Sequence, residues 1–265
     1  MNEARSKLKS AHRIVIKVGT STLAHRQTVK LNLYRIEHLI REIADLHNEG
    51  REIILVSSGA IAAGIGKMGL PRKPDTVPEN QALAAIGQGV LMHIYEKFFA
   101  EYGKTMAQLL LTGNDTIDAH ARENSRASLL TILNMGVIPV INENDAVATD
   151  ELRIGDNDNL SAMVATMIDA EVLIILTDID GVYTDNPKTN VNAKLIDVIE
   201  EITPEIENIA GGAGTKLGTG GMYTKIQAAK IAKAAGISTL IVKGSESGAL
   251  RKCLQGEKIG TIFPA

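Results

Sequence analysis

Apolar positions along this chain fall into short unbroken runs that alternate with longer stretches of helical spacing. Arg13–Val18 (RIVIKV) and Glu52–Ser57 (EIILVS) read as buried strands. Between them Ile36, Leu39, Ile40, Ile43 and Leu46 keep an i, i+3, i+4 spacing that predicts a helix over 31–49, closed by Gly50. A small-residue helix follows at 61–63, a longer helix over 79–102, a strand at Met106–Leu111, a helix over 123–134 and a strand over 137–141. The stretch 147–154 alternates enough for a small hairpin, and the apolar run 160–168 predicts a helix. Beyond it the pattern gives a strand over 171–176 and, after the turn Asp185-Asn186-Pro187, a polar helical segment. A helix over 226–235 and strands at 238–242 and 260–263 complete the chain. Such alternation specifies an α/β fold, a mainly parallel open sheet sandwiched by helices, with 1–265 as a single domain.

Composition narrows the function classes. With 265 residues, 45% of them hydrophobic, the chain can bury a substantial core without staples. A net charge of −3 gives no basic footprint, which argues against nucleic acid as a partner. No run approaches the roughly 20 apolar residues of a membrane span, and MNEARSKLKSAHR at the start has no apolar signal region. A soluble cytoplasmic protein with no membrane partner is expected. Cys253 is the sole cysteine, so it forms no disulfide framework and reads as a small buried residue.

Candidate chemistry concentrates between residues 140 and 161, where Asn142, Asn144, Asp145, Asp156, Asn157, Asp158 and Asn159 make two polar clusters. The first is delivered at a strand's C-terminal end, where ligands gather in open α/β sheets. The second precedes an apolar run, so its residues are natural helix N-caps as well as candidate ligand groups. Lys17 lies inside a Val/Ile strand that ends in Gly19-Thr20-Ser21, and a lysine there either snorkels from an edge or reaches an anion over the strand end. Ser58-Gly59-Ala60 forms a second strand-to-helix junction whose amides would face a phosphate or carboxylate. The glycine run 211–221 resembles a linker, yet it feeds Met222-Tyr223-Thr224-Lys225 and a helix, a phosphate-binding arrangement. Gly64, Gly66 and Gly69 spell GxGxxG too far past their strand for a dinucleotide fingerprint, and Gly103-Lys104-Thr105 lacks the upstream glycine of a Walker A motif. Two lysines beside glycine turns, with carboxylates between them in sequence, suit phosphoryl transfer, whose charge spreads over the moving group's oxygens.

The segments IVIKVGTS, LVSSGAIAAG, PVINENDAVAT, GDNDNLSA, IILTDIDGVYTDNP and GTGGMYTK, in this order, resemble the glutamate 5-kinases of the amino acid kinase family. The resemblance covers nearly the whole chain, and the pairing of NENDAVAT with GDNDNLSA sets that branch apart from relatives acting on other carboxylates or carbamate. It implies ATP-dependent phosphorylation of the γ-carboxylate of L-glutamate, the first step of proline synthesis. By that resemblance Lys17 and Lys225 neutralise the transferring phosphoryl group and Asp158 holds them, as the catalytic set. Ser58, Gly59, Asp145 and Asn157 bind glutamate with Asn142 and Asp156 in support. Lys17, Thr177, Asp178 and the loop Thr219, Gly220, Gly221, Met222, Tyr223, Thr224, Lys225 bind ATP. Mg²⁺ is carried by the ATP phosphates rather than by protein side chains. The resemblance further implies a glutamate-binding half over about 1–159 and an ATP-binding half over about 160–265. It also implies L-proline as a feedback inhibitor, a homo-oligomer (dimer or tetramer), and the short form without a C-terminal PUA domain.

Overall fold

The structure, a computed structural model, describes residues 3–25, 27–147, 156–187, 189–211 and 221–265. Helix α1 (Glu3–Lys7) precedes β1 (Arg13–Val18), whose Ile14, Val15, Ile16 and Val18 side chains are fully buried. The short α2 (Thr20–Leu23) leads to α3 (Leu33–Asn48), which begins where the Asn32 side chain accepts a hydrogen bond from the Arg35 amide. Its buried stripe is the set Ile36, Leu39, Ile40, Ile43 and Leu46 that the spacing singles out. Then come β2 (Glu52–Ser57), α4 (Ala60–Met68), α5 (Val77–Glu101), β3 (Met106–Leu111), α6 (Gly113–Ile117), α7 (Ala119–Asn134) and β4 (Ile138–Glu143). The rest of the chain gives α8 (Asn157–Met167), β5 (Val172–Thr177), α9 (Pro204–Gly211), α10 (Met222–Ala234), β6 (Ser238–Lys243), α11 (Ala249–Leu254) and β7 (Thr261–Phe263).

These elements divide into two compact units, one of Met1–Lys17 with Gly155–Ala265, the other Val18–Ile154. In Val18–Ile154 the strand order is β3-β4-β2, all parallel, with Leu109 beside Ile141 and Leu55 beside Val140. In the other unit the order is β1-β5-β6-β7. There β5 and β6 run parallel with Ile174 beside Leu240, and only β7 is antiparallel, to β6. The expected architecture of mostly parallel strands flanked by helices is present. Every residue of β4 and β5 is buried, as strands covered on both faces require. Arg5 closes the first unit on itself. Its guanidinium is buried, pairs with Asp197 at 2.7 Å and donates to the carbonyls of Glu257, Ile259 and Gly260.

Several boundaries differ from the sequence expectation for local reasons. Helix α5 starts two residues early because Thr76 caps it and Pro78 fits the first turn. Helix α7 starts at Ala119, where Asp118 accepts from the Ala121 amide at 2.9 Å. The polar helical segment expected after Pro187 is replaced, over the described residues, by turns and isolated bridges (Tyr183 with Leu195, Val198 with Ile262), with helix only at α9. That stretch has no apolar period to bury, so nothing favours a helix. The hairpin expected at 147–154 lies outside the described residues apart from Val147. Helix α11 was not anticipated, and it buries Cys253 fully.

Both glycine motifs set aside on sequence grounds have a mechanical role. Gly64 lies inside α4, where an added Cβ would sit 2.1 Å from the Leu83 carbonyl oxygen of α5. At Gly87 an added Cβ would sit 1.8 Å from the Ala60 oxygen, so two glycines allow α4 and α5 to touch backbone to backbone. Gly103 is the left-handed residue (φ 63°) that ends α5, with its amide on the Ala100 carbonyl and that of Lys104 on Phe99, a Schellman closure. Tyr95 and Phe99 are fully buried, whereas Phe98 and Tyr102 are half-buried.

Candidate active site

Within the unit Met1–Lys17 with Gly155–Ala265, three elements bring charged groups to one point. Strand β1 ends its buried run with Lys17, α8 offers Asp158 in its first turn, and α10 offers Thr224 and Lys225 in its own. The Lys17 ammonium lies 2.6 Å from Asp158 Oδ1, and the Lys225 ammonium lies 3.1 Å from Asp158 Oδ2. Thr224 Oγ1 donates to the same Oδ2 at 2.7 Å. Asp158 is fully buried, with Lys17 5% and Lys225 4% exposed, so both cations are withdrawn from water and share one carboxylate.

Asp156 has a different task. Its Oδ1 accepts the backbone amides of Asp158 at 2.7 Å and Asn159 at 2.9 Å, which caps α8 and frees Asp158 from capping duty. By contrast α10 starts at Gly221 with no side-chain cap, and the Gly221 carbonyl receives the Thr224 hydroxyl at 2.8 Å and Lys225 Nζ at 3.3 Å. The amides of that first turn therefore point outward from a helix start that carries partial positive charge, the setting in which phosphate binds.

The electrostatics follow from burial. Burial pushes the Lys17 ammonium below its ordinary 10.5, Asp158 opposes this, and the Lys225 charge adds to the lowering. For Asp158 burial alone would raise the carboxyl, but the charges of Lys17 and Lys225 and hydrogen bonds from Lys17 and Thr224 outweigh it and hold the group below 3.8. Asp156 is raised by burial, and the Asp158 charge adds to that against its amide hydrogen bonds. Two cations against Asp158 leave a surplus positive charge, which suits an anion of higher charge density than a carboxylate.

Of the other sequence candidates in this unit, Thr177 is buried at the end of β5, its hydroxyl 3.4 Å from Asp178 Oδ1, and its carbonyl accepts from the Gly244 amide. Asn157 is half-buried as the first residue of α8, Met222 is half-buried and Tyr223 is 48% exposed. Thr219 and Gly220 lie outside the described residues.

In Val18–Ile154 the sequence candidates are neutral apart from Asp145, and Glu143 at the end of β4 is a buried carboxyl. Ser58 follows β2 and Gly59 takes a left-handed turn (φ 104°) into α4, which has no side-chain cap. The Ser58 amide donates to the Val18 carbonyl at 3.0 Å, while the buried Ser57 hydroxyl donates to the Ser58 carbonyl at 2.9 Å and meets Tyr95 Oη at 2.7 Å. Asn142 is buried near the end of β4. Its Oδ1 accepts the Glu143 amide at 2.9 Å and its Nδ2 donates to Gln88 Oε1 at 3.0 Å. Asp145 is half-buried in the turn that follows, which the Val147 amide closes on the Asn144 carbonyl. Tyr95 and Gln88 were not singled out by sequence. The available signal was their i, i+7 spacing on α5, which puts both on the face that also buries Leu91. Among the described residues no group of three or more His, Cys, Asp or Glu side chains is arranged to hold a metal ion. No described helix is long and apolar enough to cross a membrane.

The order of strands and helices, with lysines and a carboxylate converging beside a glycine-fed helix start, defines a class. The chain belongs to the amino acid kinase family, whose model matches residues 12–243. It is 54% identical over 261 residues to the glutamate 5-kinase of Moorella thermoacetica, covering 98% of this chain and 69% of that protein. With the glutamate 5-kinase of Clostridium tetani the identity is 54% over 97% of this chain and 96% of the relative, and with that of Clostridium acetobutylicum it is 53% over 99% and 98%. Among solved structures, UMP kinase from Bacillus anthracis aligns with a TM-score of 0.64 at 18% identity over 96% of both chains. Isopentenyl phosphate kinase aligns with a TM-score of 0.66 at 19% identity over 95% of this chain and all of that one. These two likenesses establish the fold.

Proposed function

We propose that this protein transfers the γ-phosphoryl group of ATP to the γ-carboxylate of L-glutamate, forming L-glutamyl 5-phosphate for proline synthesis. The observation that carries the reading is the buried Lys17–Asp158–Lys225 arrangement, found in a chain more than half identical to glutamate 5-kinases over nearly its whole length. A γ-carboxylate oxygen attacks the γ-phosphorus, the bond to the β–γ bridging oxygen breaks, and ADP leaves with the electron pair. The nucleophile is already an anion, so no general base is required. The protein's contribution is to hold donor and acceptor in line and to offset charge on the transferring group. Lys17 and Lys225 supply that offset. Asp158 keeps the two ammonium groups together, and its charge opposes the lowering that burial imposes on Lys17.

In this reading Thr177, Asp178 and the residues 219–225 hold ATP, with the outward amides of α10 on its phosphates. Ser58, Gly59, Asp145 and Asn157 hold glutamate, and Asn142 and Asp156 support them. Both oxygens of Asp158 are engaged by cations and Asp156 caps α8, so the donor set fits Mg²⁺ as an ion borne by the nucleotide, where it would neutralise phosphate charge. The division of labour assigns glutamate to the first 159 residues and ATP to the remainder. A dimer or tetramer in the cytoplasm, inhibited by L-proline, completes the reading.

An acyl phosphate is trapped by hydroxylamine. Protein mixed with Mg-ATP, glutamate and hydroxylamine should give glutamyl hydroxamate in step with ADP, and Lys17→Ala should abolish both together. ADP without hydroxamate would mean hydrolysis or another acceptor, which a panel of aspartate, acetylglutamate and carbamate would identify.

A further inference from the structure

After β5 the chain leaves the sheet at Thr177, and residues 178–182 belong to no helix or strand. Such a loop keeps one shape only through bonds from elsewhere. Its first end is tied where the Gly244 amide donates to the Thr177 carbonyl at 2.7 Å. Its other end is tied by a side chain of β7, two places from β5 in the strand order: the Val182 amide donates to Thr261 Oγ1 at 2.8 Å. The same hydroxyl gives its proton to the Ile196 carbonyl at 2.6 Å. An amide can only donate and a carbonyl only accept, so both roles of the hydroxyl are fixed. Val182 and Thr261 are fully buried, which leaves that amide no water to turn to if the hydroxyl is lost.

Thr261 is itself held from behind. Gly260 is left-handed (φ 63°), an added Cβ there would sit 2.3 Å from the Ile241 carbonyl oxygen, and its carbonyl accepts from Arg5 Nη2 at 3.1 Å. On the loop side an added Cβ at Gly181 would sit 2.6 Å from Thr261 Oγ1, so the backbone lies against the hydroxyl. The loop's ion pair, Asp180 with Lys243 at 3.1 Å, has both side chains about half exposed and is screened by water, so it fixes the loop far less. We infer that Thr261 is a positioning residue for ATP, whose hydroxyl holds loop 178–182 in the conformation that presents Asp178 to the nucleotide without touching the nucleotide itself. This rests on the reading above in which Thr177 and Asp178 hold ATP.

Thr261→Val keeps the shape and removes the hydroxyl, whereas Thr261→Ser keeps the hydroxyl and removes a methyl group. In the first the loop must open to give the Val182 amide another partner, and ATP binds only the fraction that retains the native form. Calorimetry with Mg-ATP alone should show affinity weakened roughly 5- to 30-fold, the range for one buried group left unpaired. KM for ATP should rise in parallel, with KM for glutamate and kcat nearly unchanged. Thr261→Ser should bind Mg-ATP almost as wild type does, even though the lost methyl lowers its melting temperature. A merely structural role would not separate the two variants in affinity. If Thr261→Val does not fold, Gly181→Ala serves, since its methyl group pushes the loop off the same hydroxyl and should weaken Mg-ATP binding alike. Wild-type affinity in Thr261→Val overturns the assignment, as does Thr261→Ser binding as weakly as Thr261→Val, or an equal rise in KM for both substrates. Folded wild-type protein that binds no Mg-ATP overturns instead the nucleotide reading, and the assignment falls with it.

Discussion

Lys17, Asp158 and Lys225 make a polar centre that is charged, whereas Asn142, Gln88, Ser57 and Tyr95 are neutral groups paired by hydrogen bonds. In the first, each carboxylate oxygen meets a cation and burial strengthens the pairing. In the second, neutral groups are joined by hydrogen bonds, Ser57 with Tyr95 and the Ser58 carbonyl, and Asn142 with Gln88. The contrast matches two tasks. Developing phosphoryl charge needs cations that are already in place. Choosing one amino acid among several needs directional groups that penalise a poor fit. Damage to the charged centre should therefore reach stability and turnover, while damage to the neutral one should fall on substrate affinity.

The largest effect is expected from Asp158→Asn. Removing the carboxylate leaves two buried ammonium groups without the counter-charge they share, and breaking such a buried arrangement typically costs about 3–5 kcal/mol. Urea unfolding should show that loss at neutral pH along with loss of activity. The pH dependence has a definite sign. Asp158 is depressed below 3.8 in the folded chain, so its contribution is fully present above 3.8 and fades as pH falls through the lower folded value. The stability gap between wild type and variant should close on acidification below 3.8. A gap that is small at neutral pH, or constant with pH, would mean the centre is not held by charge.

Lys225→Ala comes next and separates turnover from binding. Its ammonium is most needed as phosphoryl charge develops, so kcat should fall by roughly 10²- to 10³-fold while KM for glutamate stays nearly constant. A variant with normal kcat and only a raised KM would erase the distinction between the two centres.

Much of the charged centre was legible in the sequence because it rests on local signals. Lys17 breaks a Val/Ile run, Asp156 and Asp158 crowd a helix start, and Lys225 follows a glycine run. Spacing could not tell which carboxylate pairs and which one caps, since both sit within three residues of the same helix start. The answer lies in three dimensions, where Asp158 pairs with Lys17 and Lys225 and Asp156 takes the amides of the helix start. Strands were legible for a similar reason: a continuous apolar run such as β5 has no other stable use. The short α2, α6 and α11 escaped because four to six residues carry too little periodicity. The neutral centre was nearly invisible. Gln88 lies between two glycines on a helix whose apolar residues spread around it, so only its spacing from Leu91 and Tyr95 marks it.

The smallest expected effect is the one that best probes the neutral centre. Ser57 Oγ lies 2.9 Å from the Ser58 carbonyl and 2.7 Å from Tyr95 Oη, a contact in which either hydroxyl can donate. Burial pushes the Tyr95 phenol above its ordinary 10.0, which keeps that proton in place over the whole working range of pH. The relay from Tyr95 through Ser57 thus holds the Ser58 peptide from behind, opposite the hydrogen bond of its amide to Val18. Tyr95→Phe removes one hydroxyl from a packed site, and a single neutral hydrogen bond is worth about 1 kcal/mol. KM for glutamate should therefore rise about fivefold, with kcat and KM for ATP hardly moved. Ser57→Ala should give a similar rise. Because both substitutions interrupt the same relay, the double variant should cost little more than either single one. Additive effects would show that Tyr95 and Ser57 act separately, and equal rises in KM for both substrates would make Tyr95 a packing residue rather than a positioning one.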